Sequence, residues 1–159
     1  MRSVVVFMAG VLIGVAIETT GAQTPANQPA VRLNHVGIGV KDLQDALKFY
    51  GEKLGFREVV RNPNGMSAYI QVSKDTFLEL QQVAADRPVG LTHFGLEAQD
   101  IKATVATFRQ RGLMVSDPGA PSAFTGGILA NLNDTTYGRI ELAEQPPDGK
   151  LRKASESWK

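Results

Sequence analysis

The sequence contains one unit twice, and this internal repeat limits the folds that the chain can adopt. The only two histidines lie in matching segments, LNHVG at 33–37 and LTHFG at 91–95, and a second matching pair is LEL at 78–80 and IEL at 140–142. Five residues of the first copy have an identical or similar residue 58 positions later. They are Leu33, His35, Gly37, Asp42 and Tyr50, which correspond to Leu91, His93, Gly95, Asp100 and Phe108. The chain is therefore predicted to consist of two copies of one module.

The first copy has the pattern of a strand, a helix and then three strands. Asp42 is placed to cap a helix that runs to about Lys53, and Gly55 suits the position just past its end. Strands are predicted at 33–40, 56–60, 66–72 and 76–82.

The second copy repeats this order. Asp100 is the expected cap of a helix that runs to about Arg111, with Gly112 past its end. Strands are predicted at 91–98, 113–116, 127–132 and 139–144. The sequence thus predicts an α+β fold of two βαβββ modules at 32–83 and 91–144, together one folded region at 32–144.

Strand alternation predicts which side chains share a face. Successive residues of a strand point to opposite faces, so His35 lies opposite Val36, and Glu79 and Glu141 lie opposite apolar neighbours that helices should cover. Three glycines share the face of the histidines: Gly37, Gly39 and Gly95. Because these glycines carry no side chains, we expect room for a ligand on this face.

Two imidazoles and two carboxylates are a plausible set of ligands for a divalent metal ion. The four candidates are His35, Glu79, His93 and Glu141. Carboxylates that converge in one cavity repel each other unless a cation or a proton neutralises them. The sequence therefore predicts a site for a divalent metal ion.

The composition is that of an ordinary globular domain. The chain has 159 residues, of which 43% are hydrophobic and 21% charged, and a formal net charge of +1. The charges are scattered, which argues against a nucleic-acid partner. With no cysteine, the chain forms no disulfide and has no lipid attached at cysteine.

The two ends differ from the folded region. The segment 1–22 has a basic start at Arg2, an uncharged run at 3–17 and small residues before a cut near Ala22, which predicts a signal peptide and a periplasmic or secreted protein. A retained membrane anchor is the alternative, but the run is shorter than the roughly 20 residues a span needs. A polar leader is expected at 23–31, and a solvated polar tail at 145–159.

At these residues the chain resembles the vicinal oxygen chelate superfamily, which includes glyoxalase I, methylmalonyl-CoA epimerase, extradiol dioxygenases and bleomycin resistance proteins. The resemblance covers 32–144. It implies two modules whose sheets form a cup, with helices outside and a metal at its centre. A homodimer is also expected from the resemblance, which leaves two arrangements open: the two modules of one chain pair with each other, or they exchange with a second chain so that the site forms at the dimer interface.

The family's four ligand positions fall on His35, Glu79, His93 and Glu141, an order that resembles bacterial glyoxalase I. The resemblance implies Ni, Co, Zn or Mn, a small-molecule substrate, and proton transfer next to a carbonyl through a metal-stabilised enediolate. Glu141 is expected to move the proton, with Glu79 as ligand or as partner on the other face.

Two departures from glyoxalase I leave the substrate open. Gly39 stands where that family usually has an arginine for glutathione, and the usual Pro-Asp-Gly turn reads DTTYG at 134–138. Three alternatives remain. An Fe(II) extradiol dioxygenase would need a further histidine. An epimerase is closer in mechanism, but its acyl-CoA substrate fits poorly with export, and the third alternative is a non-catalytic binding protein of the bleomycin resistance type. Five residues are candidates to line a pocket: Arg61, Tyr69, Phe77, Phe124 and Tyr137.

Overall fold

A computed structural model describes residues 31–132 and 138–159 of the chain. The predicted signal peptide at 1–22, nearly all of the polar leader, and Tyr137 lie outside the described residues. In the described part, no helix is both long and apolar enough to cross a membrane.

The first module has the predicted order of elements. Strand β1 is Val31–Val40, helix α1 is Leu43–Leu47 and continues as a π-helical segment at Lys48–Lys53, and three strands follow, β2 at Arg57–Arg61, β3 at Ser67–Ser73 and β4 at Thr76–Gln82. The Asp42 side chain accepts a hydrogen bond from the Asp45 backbone N–H, as expected of a helix cap. Gly55 has a φ of 73°, so the predicted glycine past the helix end is confirmed.

The second module contains one strand fewer than predicted. It consists of β5 at Gly90–Ala98, α2 at Ile101–Gln110, β6 at Ile128–Leu132 and β7 at Arg139–Glu144. The strand predicted at 113–116 is wrong, because only an isolated bridge joins Val115 to Leu132. Backbone hydrogen bonds run from Ser116 to Asn131 and from Gly119 to Leu129, but Pro118 between them has no backbone N–H, and the segment forms no regular strand.

The two modules form one open seven-stranded sheet in the order β2-β3-β4-β1-β5-β7-β6. The central pair is β1 with β5, which run antiparallel, while β4 and β7 lie parallel to β1 and β5 respectively. The modules therefore join edge to edge within one chain, through the two strands that carry the histidines.

The helices cover the face of the sheet that strand alternation predicts. Under α1 lies a core that includes Leu43, Ile70 and Leu80, and under α2 a second core that includes Ile101 and Leu142. Of these residues, Ile70, Leu80 and Leu142 lie in strands, and their side chains point to the face opposite the histidines and glutamates. The predicted division between a helix-covered face and a face for the site is confirmed.

The C-terminal segment is not the solvated tail predicted from its polar sequence. Residues Lys150–Glu156 form helix α3, whose Leu151 and Ala154 are buried at 1% and 7% exposure. They pack with Tyr69 and Phe77 in a third cluster, on the same face of the sheet as the histidines. The spacing of three residues between Leu151 and Ala154 gives the helix one apolar side, and burying a leucine side chain contributes about 1.5 to 3 kcal/mol.

Candidate metal centre

The strand register brings all four predicted ligands to the middle of the sheet. Gly37 of β1 lies between Glu79 of β4 and His93 of β5, in register with both. By the same pairing in the other module, Gly95 lies between His35 and Glu141. Each histidine therefore lies beside a glycine of the other module.

The donor atoms of these residues lie within a few ångströms of one another. The Nε2 atoms of His35 and His93 are 3.1 Å apart. One oxygen of Glu79 lies 3.2 Å from Nε2 of His93 and 3.9 Å from Nε2 of His35. An oxygen of Glu141 lies 3.6 Å from Nε2 of His35. His35, Glu79 and His93 form the tightest group, and Glu141 stands at its side.

The spacing and chemistry of the donors fit a divalent cation. Two donors that each lie about 2.1 Å from one ion are about 3.0 to 3.4 Å apart for octahedral or tetrahedral angles. The distances from His93 to His35 and to Glu79 fall in this range, and those of 3.6 and 3.9 Å lie within about 0.5 Å of it. The four residues are 1% to 8% exposed, so a cation would balance two buried carboxylates.

The glycines beside the histidines have a different role from the one predicted. A Cβ added to Gly37 would overlap the ring of His93, and a Cβ on Gly95 would overlap the ring of His35. The space predicted for a ligand is therefore occupied by the imidazole of the opposite module at these two positions.

Each histidine is held through its Nδ1 atom by the residue that precedes it. Nδ1 of His35 lies 3.1 Å from Oδ1 of Asn34, and Nδ1 of His93 lies 2.9 Å from Oγ1 of Thr92. In both cases the other ring nitrogen faces the centre of the cluster. Hydrogen bonds of this kind fix the orientation of metal-binding histidines.

Each glutamate is held through one oxygen and presents the other. The Gln81 amide donates to one oxygen of Glu79 over 3.1 Å, and Arg139 donates to one oxygen of Glu141 over 2.7 Å. The second oxygen of each carboxylate is the one that lies near a histidine. All four candidate ligands therefore have a partner outside the cluster.

Burial sets the charge state of His35. It lowers the pKa of His35 from 6.5 to about 4, against the opposing effect of Glu79 and together with the effects of the nearby His93 ring and the Arg139 guanidinium. His35 is therefore neutral at physiological pH, which is the form that binds metals.

The two glutamates differ in acidity. Burial acts to raise the pKa of Glu79, but the hydrogen bond with His93, the electrostatic effect of the two nearby imidazoles and the hydrogen bond with the Tyr69 hydroxyl outweigh it, so the pKa is lowered. The pKa of Glu141 is raised, mainly by burial and also by the charge of Glu79, against the effects of His93 and Arg139. Glu141 is thus the stronger base of the pair.

Among the predicted pocket residues, the structure brings the three aromatics of the described region towards the site. The Tyr69 ring lies edge-on to His35 at 5.4 Å and contacts Phe77 and Phe124. Burial raises the pKa of Tyr69 well above 10, so its hydroxyl stays protonated beside Glu79. Arg61 is exposed and pairs with Glu58, away from the cluster.

Sequence reasoning missed the residues that hold the histidines. Strand alternation places Asn34 on the face opposite His35, yet a register irregularity between Leu33 and His35 turns Asn34 towards its neighbour. The one available signal was the repeat itself, since Asn34 and Thr92 are polar at equivalent positions of the two copies.

Comparison with known proteins identifies a family and a curated relative. The sequence-family model of the glyoxalase/bleomycin resistance protein/dioxygenase superfamily matches residues 34–130 of this chain. The mitochondrial methylmalonyl-CoA epimerase of Mus musculus is 30% identical over 151 residues, covering 77% of this chain and 85% of that protein.

Solved structures share the fold. The methylmalonyl-CoA epimerase of Mycobacterium tuberculosis matches with a TM-score of 0.63 at 23% identity, over 80% of this chain and 97% of that one. A hypothetical protein of Bacillus halodurans C-125 matches with a TM-score of 0.61 at 19% identity, over 74% and 96% of the two chains. From the family match over most of the described domain, the chain belongs to the glyoxalase/bleomycin resistance protein/dioxygenase superfamily.

Proposed function

We propose that this protein is a metal-dependent isomerase that moves a proton at a carbon next to a carbonyl group. The observation that carries the proposal is the convergence of two imidazoles and two carboxylates in one buried cluster within one chain. Similarity to the mouse epimerase supports the isomerase class.

His35, Glu79, His93 and Glu141 would hold the metal. A bound divalent ion would supply Lewis-acid stabilisation of the negative charge that develops on the substrate oxygen. The ions that suit this donor set are Ni, Co, Zn and Mn. The protein surroundings limit the access of water to the donors, since each of the four residues is at most 8% exposed.

Glu141 is the best candidate for the base that removes the proton. Its carboxylate stands at the side of the tighter group formed by His35, Glu79 and His93. The raised pKa of Glu141 and the lowered pKa of Glu79 support this division, in which Glu141 takes up a proton and Glu79 remains an ionised ligand. Arg139, bonded to Glu141, would hold that carboxylate in place during the transfer.

Two substrate classes are consistent with this chemistry. Similarity to the mouse protein favours a branched acyl thioester such as methylmalonyl-CoA, although an acyl-CoA substrate fits poorly with the export proposed below. The order of the four candidate ligands favours the hemithioacetals that glyoxalase I uses, although Gly39 replaces the arginine usual in that family.

The deciding experiment follows deuterium uptake by NMR. The metal-loaded protein is incubated in D2O with methylmalonyl-CoA or with the hemithioacetal of methylglyoxal and glutathione. Exchange at the carbon beside the carbonyl, absent in Glu141→Gln but kept in the surface control Glu58→Gln, supports the proposal and selects the substrate. No exchange with either compound, together with cleavage of a catechol by the Fe(II) form, would point to a dioxygenase; ligand binding without turnover would point to a binding protein.

We also propose that the protein is exported. The support is the signal-like pattern at 1–22, with a cut near Ala22. Mass spectrometry of the protein from its own host should find an N-terminus near Gln23, and a chain that still begins at Met1 or Arg2 would contradict export.

A homodimer is proposed from the family resemblance alone. Light scattering after size-exclusion chromatography should give about twice the mass of one mature chain, and a monomer mass would contradict it. Neither result affects the metal centre, because one chain supplies all four of its candidate ligands.

A further inference from the structure

Asn34 uses both ends of its side-chain amide, and it is only 1% exposed. Its Nδ2 donates to an oxygen of Glu97 over 3.0 Å, and its Oδ1 lies 3.1 Å from Nδ1 of His35. The other oxygen of Glu97 faces two guanidinium groups, those of Arg32 at 3.1 Å and Arg152 at 3.7 Å. Asn34 thus links a charged carboxylate to the back of a candidate metal ligand.

The hydrogen-bonding capacities of these groups determine where the protons are. An ionised carboxylate only accepts hydrogen bonds, so the NH2 of Asn34 must face Glu97. Its carbonyl oxygen then faces His35 and can only accept, so Nδ1 of His35 must carry the proton. In a neutral imidazole the other nitrogen is then unprotonated, and Nε2 of His35 presents its lone pair to the cluster.

His93 has a similar arrangement with weaker control. The Gln81 amide donates to Glu79, its oxygen accepts from the Thr92 hydroxyl, and that hydroxyl oxygen is left to accept from Nδ1 of His93. Thr92 is exposed, however, so water can replace it as a partner of His93. Water has no such access to Asn34.

We propose that Asn34 is a positioning residue that locks His35 in the Nδ1–H tautomer, so that the metal-free site already presents the Nε2 lone pair of His35. Thr92 supports His93 through the same ring nitrogen, and a smaller effect is expected there because Thr92 is exposed. The inference rests on the proposed metal site for its consequence, which is metal affinity, but the tautomer itself is a property of the metal-free chain.

The tautomer can be measured directly because the chain has only two histidines. Protein labelled with 15N at histidine, without a histidine tag and with chelator present, is studied near pH 7.5 by long-range 1H–15N correlation. The His93→Asn variant assigns the signals. His35 should show a protonated Nδ1 and an unprotonated Nε2, and a protonated Nε2 on His35 in the wild-type chain would overturn the proposal.

The effect on affinity is measured by titration with Co²⁺. Asn34→Leu should weaken binding by about 10- to 100-fold, the usual cost of losing such a partner. Thr92→Val, which keeps the shape but loses the hydroxyl, should cost less, and Thr92→Ser should restore the wild-type value. A Thr92→Val loss equal to or larger than that of Asn34→Leu would contradict the ranking by burial.

Two further results separate a positioning role from a structural one. If Asn34→Leu does not fold, Glu97→Gln is used. A glutamine amide can donate as well as accept, so it no longer fixes the orientation of the Asn34 amide, although the ion pairs with Arg32 and Arg152 are lost as well. Mixed tautomers of His35 in a folded Glu97→Gln protein support the proposal, whereas an unchanged single Nδ1–H form shows that Glu97 has no part in it. If the wild-type chain binds no metal, the proposed function fails, while the tautomer measurement still decides the role of Asn34.

Discussion

The imidazole of His93 lies directly against the backbone of Gly37, with no space for a side chain between them. The same relationship holds between His35 and Gly95, so each module supplies one histidine and the surface that receives the other. This reciprocal packing brings the two Nε2 atoms to 3.1 Å and fixes the spacing of the candidate metal centre.

Alanine at Gly37 or Gly95 should displace the opposing ring. The added methyl group overlaps an imidazole enclosed by the sheet, so we expect a loss of about 1 to 3 kcal/mol in stability and at least about tenfold in Co²⁺ affinity. Thermal unfolding and metal titration measure the two effects. Gly119→Ala is the matched control, because its nearest neighbour would be at an ordinary 3.7 Å. Wild-type affinity in Gly37→Ala would contradict this packing argument.

Changing each glutamate to glutamine should affect different properties, turnover for Glu141 and metal binding for Glu79. Glu141→Gln should lower turnover by about 10²- to 10⁴-fold, the range for loss of general acid–base catalysis, while retaining much of the metal. Glu79→Gln should weaken metal binding more strongly, because Glu79 belongs to the tightest donor group. Metal content by elemental analysis and turnover with the identified substrate test the assignment. An active Glu141→Gln enzyme would exclude Glu141 as the base.

The stability of the metal-free protein should fall in mild acid. His35 has a pKa of about 4 when folded, against 6.5 when exposed, so between these values the unfolded chain binds more protons. The stabilisation is complete above pH 6.5 and is lost as pH falls towards about 4, with a total contribution of up to about 3 kcal/mol.

Denaturant unfolding in the presence of chelator, at several pH values from 7.5 to about 4, measures this loss. The His35→Gln variant is the control, because it lacks the titrating group. Its stability should depend less on pH than that of the wild-type chain. Identical slopes in the two proteins would show that His35 is not the group responsible.

Helix α3 should contribute to the stability of the whole domain. Leu151→Ala removes a side chain that is 1% exposed among aromatic rings and should cost about 2 to 5 kcal/mol. Lys153→Ala, on the exposed side of the same helix, should change stability by less than about 0.5 kcal/mol. Chemical denaturation of both variants measures the difference in the free energy of unfolding. Equal stabilities would contradict a packed helix and support the solvated tail predicted from the sequence.

Local patterns in the sequence were sufficient for most of the secondary structure. The caps Asp42 and Asp100, the glycines after the helices and the alternation along the strands are short-range features, and they agree with the structure. The strand expected at 113–116 is reduced to an isolated bridge at Val115, and the nearby Pro118 has no backbone N–H for a regular ladder. The C-terminal helix was missed because its two buried residues are surrounded by charged ones.

What the sequence by itself determined was the twofold repeat, the four candidate ligands and the face that carries them, because all of these follow from residue type and a period of two along a strand. The tertiary structure alone decided that β1 pairs with β5 in the same chain, that Gly37 and Gly95 receive the opposing rings, and that Asn34 supports His35. These features depend on the register of strands far apart in sequence and on a local irregularity in that register. Residue type alone does not specify either of them, since strand pairing is fixed by packing of the whole sheet.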